Sequence, residues 1–143
     1  MKPVLFLRIA SGLAFLHAVA HTVGGVFGKP AAGLQANTVA VMKANQFPVM
    51  GVTRSYWDFQ MGMGLGISID LLVATVVFWQ LSSLARTQAT RLRPLLITFM
   101  AGYLALAVNS FRYFFAGPVI GEILIALCLG LAILTHQRGQ EEL

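Results

Sequence analysis

The chain has 143 residues, 57% of them hydrophobic and only 10% charged, with a mean hydropathy of +0.77. Soluble domains carry about 25% charged residues; a core of this size cannot hide so much apolar surface, so lipid must be the solvent for much of the chain. The net charge is +5, but the basic residues stand singly in loops and at segment ends, which is a membrane-topology signal and not a nucleic-acid-binding face.

Four apolar segments of roughly 20 residues, enough to cross the hydrocarbon, follow one another. The first is expected from about Val4 to Phe27, the second from Trp57 to Leu81, the third from Pro94 to Phe115 and the fourth from Pro118 to His136. The fold class predicted is an all-α integral membrane four-helix bundle forming a single transmembrane domain. The first segment has Lys2 and Arg8 ahead of or within its apolar run, as a signal peptide would. It is too long for the apolar core of one and lacks a small-residue cleavage site, so it reads as a retained helix. Pro94 and Pro118 are expected at helix starts, where a missing N–H costs nothing. Gly117-Pro118 is expected to make the tight turn between the last two, antiparallel, helices.

The connection between the first two helices, residues 28–56, is the longest, and Leu34–Ala44 within it is expected as a short amphipathic helix on the outer interface or capping the bundle. Lys2, Arg8, Arg86, Arg91, Arg93 and Arg138 fall on one side, and Lys29, Lys43, Arg54 and Arg112 on the other. That imbalance places both termini in the cytoplasm and the chain as a multi-pass protein of a bacterial inner membrane. The hydrophilic tail from Gln137 is expected to fray, with His136 at the interface. Cys128, the single cysteine, excludes an intrachain disulfide and a zinc finger and reads as a packed apolar residue.

Polar residues inside the apolar segments are the candidate functional groups, because a titratable side chain in a bilayer is costly unless paired or hydrated. At 100° per residue, Ala10, Ala14, His17, His21, Gly24, Gly25 and Gly28 share one stripe of the first helix. The second helix carries Gly62 and Gly66 as GxxxG, flanked by Asp58 and Asp70, and a separate stripe of Gly64 and Ser68. It is therefore expected to pack on two sides. Thr98, Gly102, Ala105, Asn109, Arg112 and Tyr113 group on the third helix; Glu122, Ala126 and Gly130 group on the fourth. Counting depth along each helix places His21, Asn109 and Glu122 below the outer surface, Asp58 and Arg112 at the rim, and His17 and Asp70 near the midplane. Together they suggest a polar funnel open outward.

His17 and His21, four apart, suit interhelical hydrogen bonds, contact with a ligand, or a shared metal ion. Without a glutamate next to the first histidine the metalloprotease motif fails. Glu122 suits the favourable dipole of a helix start or proton transfer with His21. Asp70 must be neutral, wet or paired with His17. Arg112 is a partner for Asp58 or Glu122, and Asn109 is either interhelical glue or a ligand group. Tyr56 and Trp57 form an interface belt or wall the mouth of a pocket.

The run Ser55-Tyr56-Trp57-Asp58 followed by Gly62, Gly64 and Gly66, together with His17-x-x-x-His21 and Gly24-Gly25, resembles a group of small four-helix bacterial membrane proteins that has no established activity. More loosely, the layout looks like DoxX-type proteins and the EXPERA group. The latter includes sterol isomerases that use intramembrane His and Glu residues for proton transfer. Only residue types correspond, at His17, His21 and Glu122, so no activity is carried over.

Three functions follow as expectations. The first is a pocket for a hydrophobic, lipid-like, quinone-like or sterol-like small molecule, with or without acid–base chemistry. In it His21 and Glu122 form the proton-transfer pair, His17 and Asp70 the orienting pair, and Trp57, Tyr56, Asn109, Arg112 and Asp58 contact the ligand. The second is a non-enzymatic accessory or scaffold subunit that binds a membrane-protein partner or its own copy. The third is a proton or ion conduit, which the shortage of polar residues in the cytoplasmic half disfavours. No phosphate loop, nucleophile motif or basic face points to a soluble enzyme or a nucleic-acid partner, and no cofactor is identified.

Overall fold

The computed structural model describes residues 2–141, with the side chains of residue 89 and of residues 136–141 set aside. The expectations for His136 and for a frayed tail lie outside the described side chains. The elements in chain order are α1 (Lys2–Ala20), which continues as a π-helix over His21–Val26, then α2 (Leu34–Ala44), β1 (Gln46–Val49), β2 (Val52–Ser55), α3 (Tyr56–Leu84), α4 (Ala89–Tyr113) and α5 (Ala116–Glu141). Four stretches are long and apolar enough to span a membrane: Lys2–Val26, Tyr56–Leu84, Thr90–Tyr113 and Ala116–Thr135. The protein is a multi-pass helical membrane protein.

The four expected spans are present, and α2 occupies the residues expected for the short helix of the long connection. Two expected helix starts are corrected. α4 begins at Ala89, so Pro94 lies inside it. Its first turn is built on Gln88, whose carbonyl accepts from the N–H of Arg91 (3.0 Å) and of Leu92 (3.3 Å). Within reach of that helix start, the bond Pro94 fails to make is a small loss beside the packing of Leu96, which is 4% exposed. The tight corner is Phe114-Phe115, not Gly117-Pro118. Pro118 sits in the first turn of α5, where backbone N–H groups have no helical acceptor in any case.

The all-α expectation needs one addition, a two-stranded antiparallel hairpin in which Val49 faces Val52. Its two-residue turn is Met50-Gly51, with φ of 48° and 87°. Both values are positive, as the turn that matches strand twist requires, and glycine adopts such a value without strain. A methionine in the first turn position disguises the signal that Asn-Gly would have given.

The chain divides into two compact units, Met1–His17 with Leu71–Leu143, and Ala18–Asp70. In the first unit, α1, α3, α4 and α5 share one core. Leu7, Ala10 and Ala14 meet Phe78 and Leu81, Leu96 and Tyr103, and Ile125, Leu129 and Ala132. Small residues on α1 let helix backbones approach, and large ones on α3 and α5 fill the space. Phe78 packs edge-on to Phe99 (5.2 Å between centroids) and beside Tyr103 (5.8 Å). Ser11 donates to the carbonyl of Thr75 at 2.8 Å, a bond between α1 and α3. Cys128 is half-buried against this core, as a packed apolar residue.

In the second unit the π-helix, α2, the hairpin and the first half of α3 come together. Phe47 of β1 stacks on Phe59 (6.0 Å, 5° between planes) and tilts onto Tyr56 (4.8 Å). Lys43, at the end of α2, holds its ammonium 5.0 Å from the centre of the Trp57 ring, a cation–π contact.

Candidate functional site

The first unit contains His17 and Glu122. Glu122 is 6% exposed in the first turns of α5. Its Oε1 accepts from the hydroxyl of Ser110 on α4 at 2.9 Å. Its Oε2 is buried and has no hydrogen-bond partner among the described residues. His17 lies close by along α5: a Cβ placed on Gly121 would stand 3.3 Å from His17 Nδ1. The missing side chain at position 121 is thus what admits the imidazole ring, one residue before the buried carboxyl. Ser110 was not among the residues singled out from sequence. A lone serine in an apolar helix gives no signal until its partner is known.

The second unit contains His21, Asp58 and Asp70. His21 Nε2 lies 3.0 Å from the carbonyl of Gly64. A carbonyl only accepts, so Nε2 carries the proton in this arrangement. The same carbonyl accepts from Ser68 Oγ at 3.1 Å. Thr22 Oγ1 stands 2.7 Å from the carbonyl of Ala18 and 2.8 Å from Ser68 Oγ, its single proton serving one at a time. His21, Thr22, Ser68 and the Gly64 carbonyl therefore form one polar seam between the π-helix and α3. The π-helix makes it possible: widening the turn breaks the 100° register, so Val26 turns inward while Gly24, Gly25 and Gly28 are exposed. The expected single stripe on the first helix is correct as far as His21 and fails beyond it for that reason.

Asp58 caps its own helix. Its Oδ2 accepts from the backbone N–H of Ser55 (2.7 Å) and from the Ser55 hydroxyl (2.9 Å), and its own N–H points to Ser55 Oγ at 3.2 Å. This is a reciprocal capping box with aspartate as the acid. Trp57 is half-buried under Lys43, and Tyr56 is exposed beside Phe47.

The remaining candidates face outward. Thr98, Gly102, Ala105, Asn109, Arg112 and Tyr113 are all exposed. The inward face of α4 is instead Leu96, Tyr103, Ala107 and Ser110. The stripe expected to line the bundle is thus turned away from the core, on the side of α4 opposite Leu96, Tyr103, Ala107 and Ser110. Arg112 does not bond Glu122, whose oxygens are accounted for by Ser110 and by no one else among the described residues. On α3, Gly64 is half-buried and Ser68 is buried, whereas Asp58, Gly62 and Asp70 are exposed. One of the two expected packing stripes of this helix is used; the other, exposed at Gly62 and Asp70 and half-buried at Gly66, has no atom within 4 Å of a Cβ built on either glycine.

Among the described residues no three of His, Cys, Asp and Glu come close enough to hold a metal ion. A hollow lined by Pro3, Ala85, Leu96 and Ala132 measures about 10 Å³, which is room for one water and not for a lipid-like molecule.

Comparison of the chain with protein-family models, with curated proteins and with solved structures gave no match. The likeness to small four-helix membrane proteins, and to the DoxX-type and EXPERA groups, comes down to the shared four-helix apolar layout.

Proposed function

We propose that this protein is a non-enzymatic membrane subunit that associates laterally with another transmembrane helix through the open face of α3. The observation that carries the reading is Asp70, an exposed carboxyl midway along a 29-residue apolar helix. An aspartate at the centre of a membrane helix costs about 2.5–3.5 kcal/mol when it faces lipid. A partner that covers it offsets that cost. Gly62 and Gly66 precede it at intervals of four, and a Cβ built on either would meet nothing within 4 Å. Small residues with free space before them are what close helix association needs. The Lys and Arg imbalance supports an inner-membrane location with both termini in the cytoplasm, and a reporter fused to the C-terminus reads that orientation.

The test is native mass spectrometry of the full chain extracted from its own membrane in mild detergent. The wild type is expected to carry a second polypeptide, and the Gly62→Leu/Gly66→Leu variant to lose it at an unchanged melting temperature. A wild type that emerges as a clean monomer overturns the reading.

One observation favours a second reading, a site for the polar group of a lipid-like ligand: the Glu122 Oε2 without a partner among the described residues, with the His17 ring of α1 against the neighbouring Gly121. Here Glu122 would accept a hydroxyl or exchange a proton, while His21 serves the seam with Gly64. Glu122→Gln keeps an acceptor for Ser110 and removes the acid. Lipid analysis of the purified protein is expected to show a small molecule lost in that variant, and identical bound lipids in both proteins would dismiss the site.

A further inference from the structure

The identity of the partner on α3 follows from charge, on the footing of the association reading above. We infer that the Gly62–Gly66–Asp70 face takes a transmembrane helix of another protein that carries a lysine or arginine near its own midpoint. Asp70 lies about 21 Å along α3 from its start, counted at 1.5 Å per residue. At that depth a carboxylate is best satisfied by a cation that also sheds its water on contact.

Among the described side chains, no lysine or arginine of a second copy lies at that depth. Lys2 and Arg8 are in the first turns of α1, and Lys29, Lys43 and Arg54 lie in the connection before α3. Arg86, Arg91 and Arg93 cluster around the start of α4, and Arg112 is in its last turn. Arg8, the one that reaches furthest inward, is held over the ring of Trp79 at 5.1 Å. A two-fold contact through the same face would set one Asp70 near another, which like charges disfavour. The complement must come from a different chain. The glycines let that helix approach closely, and the ion pair fixes its register.

The experiment uses the full chain in lipid vesicles with two labelled single-span probes, a Leu/Ala peptide with one central lysine and the same peptide with leucine in its place. Energy transfer is expected to show the lysine peptide binding at least tenfold more tightly than the leucine peptide. Asp70→Asn is expected to erase that difference without moving the melting temperature, since the side chain is exposed and supports no packing. Equal binding of both peptides to the wild type, or a lysine preference that survives in Asp70→Asn, overturns the inference. A homodimer of the wild type that is lost in Asp70→Asn also overturns it, and assigns the face to a second copy while leaving lateral association standing. If the native complex also survives in Gly62→Leu/Gly66→Leu, the association reading itself has failed.

Discussion

Phe78→Ala is expected to destabilise the folded protein by about 3 kcal/mol, with the loss read as a lower melting temperature and a lower denaturing-detergent midpoint. Phe78 is fully buried, and among the described residues it is the largest side chain so enclosed. Its ring touches Phe99 and Tyr103 of α4, and it shares the core with Leu7 and Ile125. Truncation leaves a hole where α3 meets the other helices of the first unit. Phenylalanine-to-alanine changes in cores cost about 3–5 kcal/mol. The lower end applies here because unfolded membrane helices keep their side chains in lipid, so the loss is of packing and not of transfer from water. Phe78→Leu should cost well under half as much, since it keeps most of the volume. A loss below about 1 kcal/mol for the alanine variant would show that this ring does not hold the core.

Gly64→Leu is expected to destabilise the second unit by about 2–3 kcal/mol, while Gly62→Leu, two residues earlier on the same helix, is expected to be close to neutral. A Cβ on Gly64 would stand 3.0 Å from Val26 Cγ2, whereas a Cβ on Gly62 meets nothing. Val26 is itself buried, so its methyl groups have little room to give. Pushing the two segments apart also strains the bond from His21 to the Gly64 carbonyl, and interhelical hydrogen bonds of this kind are worth about 0.6 kcal/mol on average. The double variant Gly64→Ala/Val26→Ala separates these effects. It removes the obstructing methyl groups, so it should recover stability relative to Gly64→Ala alone. If both leucine variants melt alike, the distinction between the packed and the open stripe of α3 is wrong.

How much of this was legible in the sequence differs from residue to residue. His17, His21 and Glu122 could be picked out because each is a polar group in an apolar run, and each is half-buried or buried. Their partners could not. Ser110 donates to one oxygen of Glu122, the Gly64 carbonyl meets His21, and Ser68 meets Thr22; nothing local marks which serine of one helix faces which residue of another. Asp58 could have been read as a capping residue from Ser55-x-x-Asp58 ahead of an apolar helix. Its place beside Tyr56 and Trp57 suggested a pocket mouth instead. The third-helix stripe was grouped correctly on one face, but the face was assigned to the wrong side. In lipid both sides of a helix are apolar, so a polar stripe tells that something covers it and leaves open whether that is its own bundle or another chain.

The sequence by itself determined that the chain is a membrane protein with four spans, because 20-residue apolar runs have no other stable solvent. It also determined α2, whose periodic apolar residues stand apart from the spans. Only the tertiary structure decided the π-turn that rotates Val26 inward, the use of Gly64 and the openness of Gly62, and the outward direction of Asp70. Those are decided by contacts between residues more than forty positions apart, such as His21 with Gly64 and Thr22 with Ser68. A local pattern carries the direction of a side chain around its own helix axis. It does not carry the position of the neighbouring helix that the side chain meets.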